Sequence, residues 1–193
     1  MTLNDASKKE GRAQVLIQLL EGKPHQVGAE IGVQAGDTSF QLAEGLPELK
    51  ILWCVDAWKY YEDYEHDRVL TDKTGGKWPD QKLLDEARAT FYRRLKEFRS
   101  RGIIYVLPMF SDKAAQQIKN ESLDFVFLDA NHSYQYAKWD IVLWLPKVRP
   151  GGLVAGHDYN NPHNPRWGVT KAVDEKFNNV FTGSDFTWWI WKT

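Results

Sequence analysis

Residues Val27–Ser39, VGAEIGVQAGDTS, decide how the chain is read. The stretch opens as a short apolar run, places a carboxylate at Glu30, and turns through Gly32 and Gly36. It ends in Asp37, Thr38 and Ser39, residue types that cap helices, before an apolar stretch from Phe40 to Leu46 that can continue as a helix. A strand that runs through a glycine turn into a helix opens a mononucleotide-binding α/β unit. Bare backbone there lets a ligand approach closely, and the helix start offers unpaired N–H groups.

The spacing narrows the ligand. A dinucleotide fingerprint needs glycine at the first, third and sixth positions counted from Gly32, and Gln34 and Asp37 hold the other two. Glu30 also stands where its charge would repel a pyrophosphate. A carboxylate there suits a cationic or zwitterionic ligand with a free amino group. S-adenosylmethionine is such a ligand, with an ammonium, a sulfonium and no phosphate.

Working outward, ILWCV at 51–55 reads as the second strand, apolar throughout, as strands covered on both faces tend to be. Asp56 ends it, placed to accept both hydroxyls of a ribose, as an acid about 20 residues past the first glycine does. Capping the next turn is its alternative role. Trp58 can lie against an adenine ring or simply pack. IIYVL at 103–107 reads as the third strand, and in the loop after it Ser111 and Asp112 can bond the base or cap the helix that follows.

The second dense stretch is Leu123–Asn160. It reads as strand four (125–128), a polar loop from Asp129, and a helix with Ala137, Ile141, Val142 and Leu145 inward. The turn Arg149–Gly152 follows, then strand five (153–155), ending in Gly156, His157 and Asp158. Ligands of open α/β sheets sit outside the carboxyl ends of the strands. That edge collects Asp56, Asp129, His132, His157 and Asp158, a convergence that stability alone does not explain.

Taken together, E-I-G-x-x-x-G, strand-end Asp56, F-x-F-x-D-A-x-H-S-Y and P-G-G-x-x-x-G-H-D-Y resemble class I S-adenosylmethionine-dependent methyltransferases. The nearest group is the small-molecule O-methyltransferases of the Methyltransf_24 type, related to catechol and macrolide sugar O-methyltransferases, and the likeness spans about Val27 to Phe177. The resemblance implies that Glu30, Gly32 and Gly36 hold the methionyl part of the cofactor, Asp56 the ribose, and that Ser111 lies near the adenine. It also implies Mg²⁺ on Asp129 and Asp158 with a neighbouring amide. Tyr159 occupies the adjacent position, so the amide would be Asn160. Two carboxylates suit such a hard cation, which would lower the pKa of a substrate hydroxyl. Without a metal, His132 or His157 can take the proton, or each can serve as a strand-end hydrogen bond.

The remaining segments frame this unit. Asp5–Glu21 reads as an amphipathic helix that covers one sheet face and carries no chemistry, within an N-terminal element of residues 1–24. Lys59–Asp80 loses periodicity and can be a substrate lid, a solvated loop or a dimer contact. Gln81–Ser100 returns to helical period with Leu84, Ala87, Phe91, Leu95 and Phe98 on one face; its basic side is interleaved with acids and reads as a solvated face. After the loop Asn161–Trp167, which can line an acceptor pocket, come a helix (169–177), a strand (180–182) and a last strand (186–191). That last strand is expected to be antiparallel, inserted between strands five and six, and apolar on both faces.

Composition bounds the rest. At 193 residues and 42% hydrophobic, the chain is expected to be one domain, 1–193, a three-layer α/β/α Rossmann-like methyltransferase fold with a seven-stranded, mostly parallel sheet. A net charge of −1 argues against nucleic acid or an anionic membrane surface as partner. No apolar run approaches the roughly 20 residues of a spanning helix. The start, MTLNDASKKE, lacks an apolar signal core, and Cys54 is the only cysteine, so a reducing, cytoplasmic setting is expected. The expected partner is a small-molecule acceptor; a homo-oligomer stays open. An NAD-dependent oxidoreductase and a non-catalytic domain on the same sheet are the alternatives.

Overall fold

The computed structural model describes residues 11–24, 26–59, 80–165 and 167–193. The apolar runs become the strands β1 (Gln26–Ile31), β2 (Leu49–Val55), β3 (Ile104–Leu107), β4 (Leu123–Leu128), β5 (Val148–Gly156), β6 (Phe181–Thr182) and β7 (Trp188–Trp191). They form one 7-stranded sheet in the order β3-β2-β1-β4-β5-β7-β6. β1 pairs in parallel with both β2 and β4, so the strand order reverses beside it, and this is where a crevice opens at the carboxyl edge. β7 runs antiparallel between β5 and β6, as expected.

Helices cover both faces because their apolar stripes match the two sides of the sheet. On one side α1 (Arg12–Leu20), α2 (Asp37–Gly45) and α3 (Gln81–Arg94) bring Leu16, Leu42 and Phe91 onto Leu52, Phe125 and Phe127. On the other, α6 (Tyr134–Trp144) and α7 (Val169–Lys176) bring Ile141, Trp144 and Val173 onto Ala29, Val126 and Val154. Two short helices, α4 (Lys96–Ser100) and α5 (Ser111–Ala115), flank β3.

Several expectations change in detail. The helix expected over 81–100 breaks at Leu95, so α4 is a separate turn that directs Phe98 inward. Val142 points outward, at 51% exposure, and Trp144 takes the inward place. A stripe at i, i+3, i+4 and i+7 from Ala137 reaches Trp144 and passes Val142 by. The last strand begins at Trp188, because Asp185 and Phe186 adopt left-handed backbone with φ of 55° and 54°. Of the run 188–191 only Trp188 is fully buried, since β6 offers two residues of cover at the edge. Residues 5–10 of the expected first helix, and 60–79 of the expected insertion, lie outside the described residues.

Candidate active site

The ladder itself sets the functional residues at the sheet's edge. Just past the strand ends, Gly32 N–H donates to the Val55 carbonyl at 2.8 Å, Asp129 N–H to Ile31 at 2.8 Å, and His157 N–H to Leu128 at 3.1 Å. Each residue that follows one of these strands is thereby tied by its N–H to the end of a neighbouring strand. The result is a cleft of about 740 Å³ lined by Glu30, Gly32, Asp56 and Ser111 at one end and Asp129, His132, His157 and Asp158 at the other.

At the first end the glycine turn is sterically required. Gly32 has φ of 87°, and a Cβ there would run into the Asp129 carbonyl; Gly36 has φ of 78°, and its Cβ would lie 2.8 Å from Phe91. Gly36 thus shapes the turn from behind without facing the cleft. Asp37, Thr38 and Ser39 make no side-chain cap for α2. Asp37 pairs with Arg94 at 2.7 Å, and the buried Ser39 hydroxyl donates to Glu30. Glu30 itself is buried, and that burial pushes its pKa up to about 8 against the pull of Ser39.

Asp56 accepts the N–H of Gln34 at 2.9 Å and of Trp58 at 2.7 Å, which locks its carboxylate toward the turn. Burial raises its pKa, and these backbone donors oppose that. Trp58 stands elsewhere than an adenine stack needs: its indole is 2% exposed, packs on Phe91 and Tyr92, and donates to the Gln34 carbonyl at 2.9 Å. Its packing role is the one seen. Ser111 lies on the cleft wall, but its hydroxyl is committed. It donates to Asp140 and accepts from the Trp144 indole N–H at 2.8 Å. Burial pushes Asp140 up to about 7, with Ser111 pulling the other way.

At the second end, acids and bases alternate. His132 Nε2 lies 3.0 Å from Asp158 Oδ2 and 3.5 Å from Asp129 Oδ1. His157 Nδ1 lies 2.9 Å from Asp158 Oδ2, and its Nε2 lies 3.4 Å from Asp185 Oδ2. Arg12 closes the circuit, with Nη1 on Asp129 Oδ2 and Nε 3.5 Å from Asp185. The imidazole nitrogens beside these carboxylates are buried and lack an aligned hydrogen bond, so charge rather than directed bonding holds them. Trp167 stacks on the His132 ring at 3.9 Å and fixes its plane. Burial opposes the imidazolium, yet Asp129 and Asp158 outweigh it and push His132 up to about 9. The same histidines hold Asp158 well below the usual carboxylate range despite its burial.

Asp129, His132 and Asp158 offer ligand atoms all within 4.8 Å of one another, which invites a cation. The donor set does not suit Mg²⁺, which takes oxygens. Asp129 Oδ2 is on Arg12, Asp158 Oδ2 faces two histidines, and Asp158 Oδ1 accepts the Asn161 amide N–H at 2.6 Å. Asn160 is outside this group. Its left-handed backbone, with φ of 52°, sends its N–H to Thr170 at 2.8 Å. The neighbouring amide is Asn161, and it presents N–H.

A methyltransferase-domain family profile matches residues 29–159, well over half of the chain. The chain belongs to that methyltransferase family. This methyltransferase is of the class I, S-adenosylmethionine-dependent type, and solved structures share its fold. An O-methyltransferase from Bacillus cereus in complex with SAH is 17% identical, with TM-score 0.63 over 99% of this chain and 84% of that one. TomG, an O-methyltransferase from Streptomyces achromogenes involved in tomaymycin synthesis and solved with SAM, is 17% identical, with TM-score 0.59 over 94% and 80%. Precorrin 8w decarboxylase from Methanobacterium thermoautotrophicum has TM-score 0.56 at 13% identity over 88% and 72%, so the fold also carries other chemistry. No curated protein sequence matches the methyltransferase. Among its described residues no helix is long and apolar enough to cross a membrane.

Three of its polar site residues were not anticipated from the sequence, Arg12, Asp140 and Asp185, while Asn161 was anticipated only as the start of a loop that can line an acceptor pocket. Arg12 opens a helix read as mere cover, and Asp185 sits between the two last expected strands, where no site residue was read. Asp140 did leave a signal, as an acid inside the apolar stripe of α6.

Proposed function

We propose that the chain transfers the methyl group of S-adenosylmethionine to a hydroxyl oxygen of a small molecule, such as a sugar or phenolic natural product. The observation that carries this is the shared cleft: the glycine turn with Glu30 and Asp56 at one end, and the His132 group at the other. A cofactor whose ammonium lies toward Glu30 and whose ribose meets Asp56 points its sulfonium toward His132.

The acceptor oxygen attacks the methyl carbon in line with the carbon–sulfur bond. That bond breaks, its electron pair stays on sulfur as neutral S-adenosylhomocysteine, and the acceptor proton passes to His132. Because the donor is already activated, alignment and proton removal are what the protein adds. Asp129 and Asp158 hold His132 from one side and Trp167 from its ring face. The Mg²⁺ assistance implied by the resemblance has no step here, because the carboxylate oxygens are engaged.

Thermal unfolding with S-adenosylmethionine or NAD, followed by tritium transfer from labelled cofactor to a panel of hydroxylated acceptors, tests this. A ligand that binds the native state stabilises it by RT ln(1 + [L]/Kd). Stabilisation by S-adenosylmethionine with label on an acceptor oxygen is expected. A shift with NAD alone would favour an oxidoreductase. Cofactor binding with no transfer to any acceptor would favour a non-catalytic domain.

A further inference from the structure

We propose that the Arg12 guanidinium holds the place of a divalent cation beside Asp129, so that this site excludes metal and works without one. The claim about metal methylation chemistry rests on the function proposed above; the exclusion of the ion does not.

Two segments remote in sequence converge to put the guanidinium there. Arg12 is the first residue of α1, and its backbone N–H donates to Asp185 Oδ2 at 3.1 Å while Nε lies 3.5 Å from the same oxygen. Asp185 is delivered by the turn before β7, where it and Phe186 both hold left-handed backbone. Neither is a glycine, and two such residues in a row persist only where surrounding contacts enforce them. Phe186 supplies one, accepting the Tyr159 N–H at 3.0 Å. With α1 and the turn clasped together, Nη1 lies on Asp129 Oδ2, and the carboxylate's other oxygen, Oδ1, faces His132 at 3.5 Å and His157 at 3.8 Å, so both oxygens of Asp129 already meet a basic side chain.

Charge leads to the same conclusion. The carboxylates of Asp129, Asp158 and Asp185 face Arg12, His132 and His157, so each acid already has a basic side chain beside it. A dication added to this group would have to share the Asp129 carboxylate with the Arg12 guanidinium. Asn161, which turns an N–H rather than a carbonyl toward Asp158, also behaves as a donor to anions and not as a metal ligand. In catalysis the guanidinium then supplies the positive field that steadies negative charge developing on the acceptor oxygen.

Titration of Mn²⁺ into the full chain, with the free ion followed by electron paramagnetic resonance, tests the exclusion without an acceptor. Wild type and Arg12→Lys are expected to leave the ion free. Arg12→Ala is expected to bind it at least about tenfold more tightly, and Arg12→Ala/Asp129→Asn to lose that gain. Thermal melts and calorimetric binding of S-adenosylhomocysteine show that each variant folds, and Arg12→Gln, which keeps the side-chain stem, replaces Arg12→Ala if the latter does not. Wild type binding Mn²⁺ as tightly as Arg12→Ala, or Arg12→Ala gaining no affinity, would overturn the proposal. Failure of S-adenosylhomocysteine to bind wild type would instead count against the methyltransferase function and leave the metal result to stand by itself.

Discussion

At the scale of single residues, the two ends of the cleft make different demands. Asp56 faces the ribose with a charged acceptor, and a hydrogen bond to a charged group contributes about 1.5–3 kcal/mol. Asp56→Asn is therefore expected to weaken S-adenosylmethionine binding by about tenfold to a hundredfold in calorimetry, with the fold retained because the amide oxygen can still accept the N–H of Gln34 or Trp58. His132→Ala is expected to do the reverse: unchanged cofactor affinity, with turnover down by about 10²–10⁴. Since His132 must be neutral to take a proton and titrates at about 9, the rate should climb with pH until about 9. Asp158→Asn removes one of the carboxylates that raise it, so the climb should end at lower pH. A rate that stays flat between roughly pH 6 and roughly pH 9 would remove His132 as the base. Glu30 makes a separate pH statement. Its folded pKa of about 8 stands above the ordinary 4.5, so the native chain holds an extra proton between these values and loses stability as pH rises through that window. Glu30→Gln is expected to flatten that slope and raise the Tm of the cofactor-free protein near pH 8, by roughly 2–4 °C per kcal/mol released, while weakening cofactor binding. An unchanged melting profile across that window would show that Glu30 is not a strained buried acid.

Among the elements, the β1–α2 turn is the one on which the rest depend. Gly32→Ala forces a Cβ into the Asp129 carbonyl and a left-handed backbone onto alanine, so a loss of about 2–4 kcal/mol in urea unfolding is expected, together with cofactor affinity. Here the sequence is legible because the signals are local. Periodicity of 2 or 3.6, a glycine pair and strand-end acids placed β1, β2, β4 and β5 within a few residues, and they put Glu30, Asp56, Asp129, His132, His157 and Asp158 on one edge. What local pattern cannot carry is a side chain's final direction or a contact between distant turns. Trp58 belongs to the core because its indole finds Phe91 and Gln34, partners separated from it by 33 and 24 positions. Arg12 and Asp185 meet only after the whole sheet is assembled. Asn161 replaces Asn160 in the site because positive φ at Asp158 and Asn160 redirects the chain after β5.

Over the whole molecule, the strand order explains why one cleft serves both ends. Reversal beside β1 opens the crevice, and the extended ladder aligns the residues that follow β1, β2, β4 and β5 along it. Helices pack on both faces of the sheet behind this edge. The central claim is that the methyl carrier lies along that crevice with its ammonium toward Glu30. A crystal structure with S-adenosylhomocysteine measures this directly. The ammonium near Glu30, the ribose hydroxyls on Asp56 and the sulfur facing His132 is the predicted result; the ligand bound away from the Gly32 turn, or with its ribose out of reach of Asp56, would contradict it.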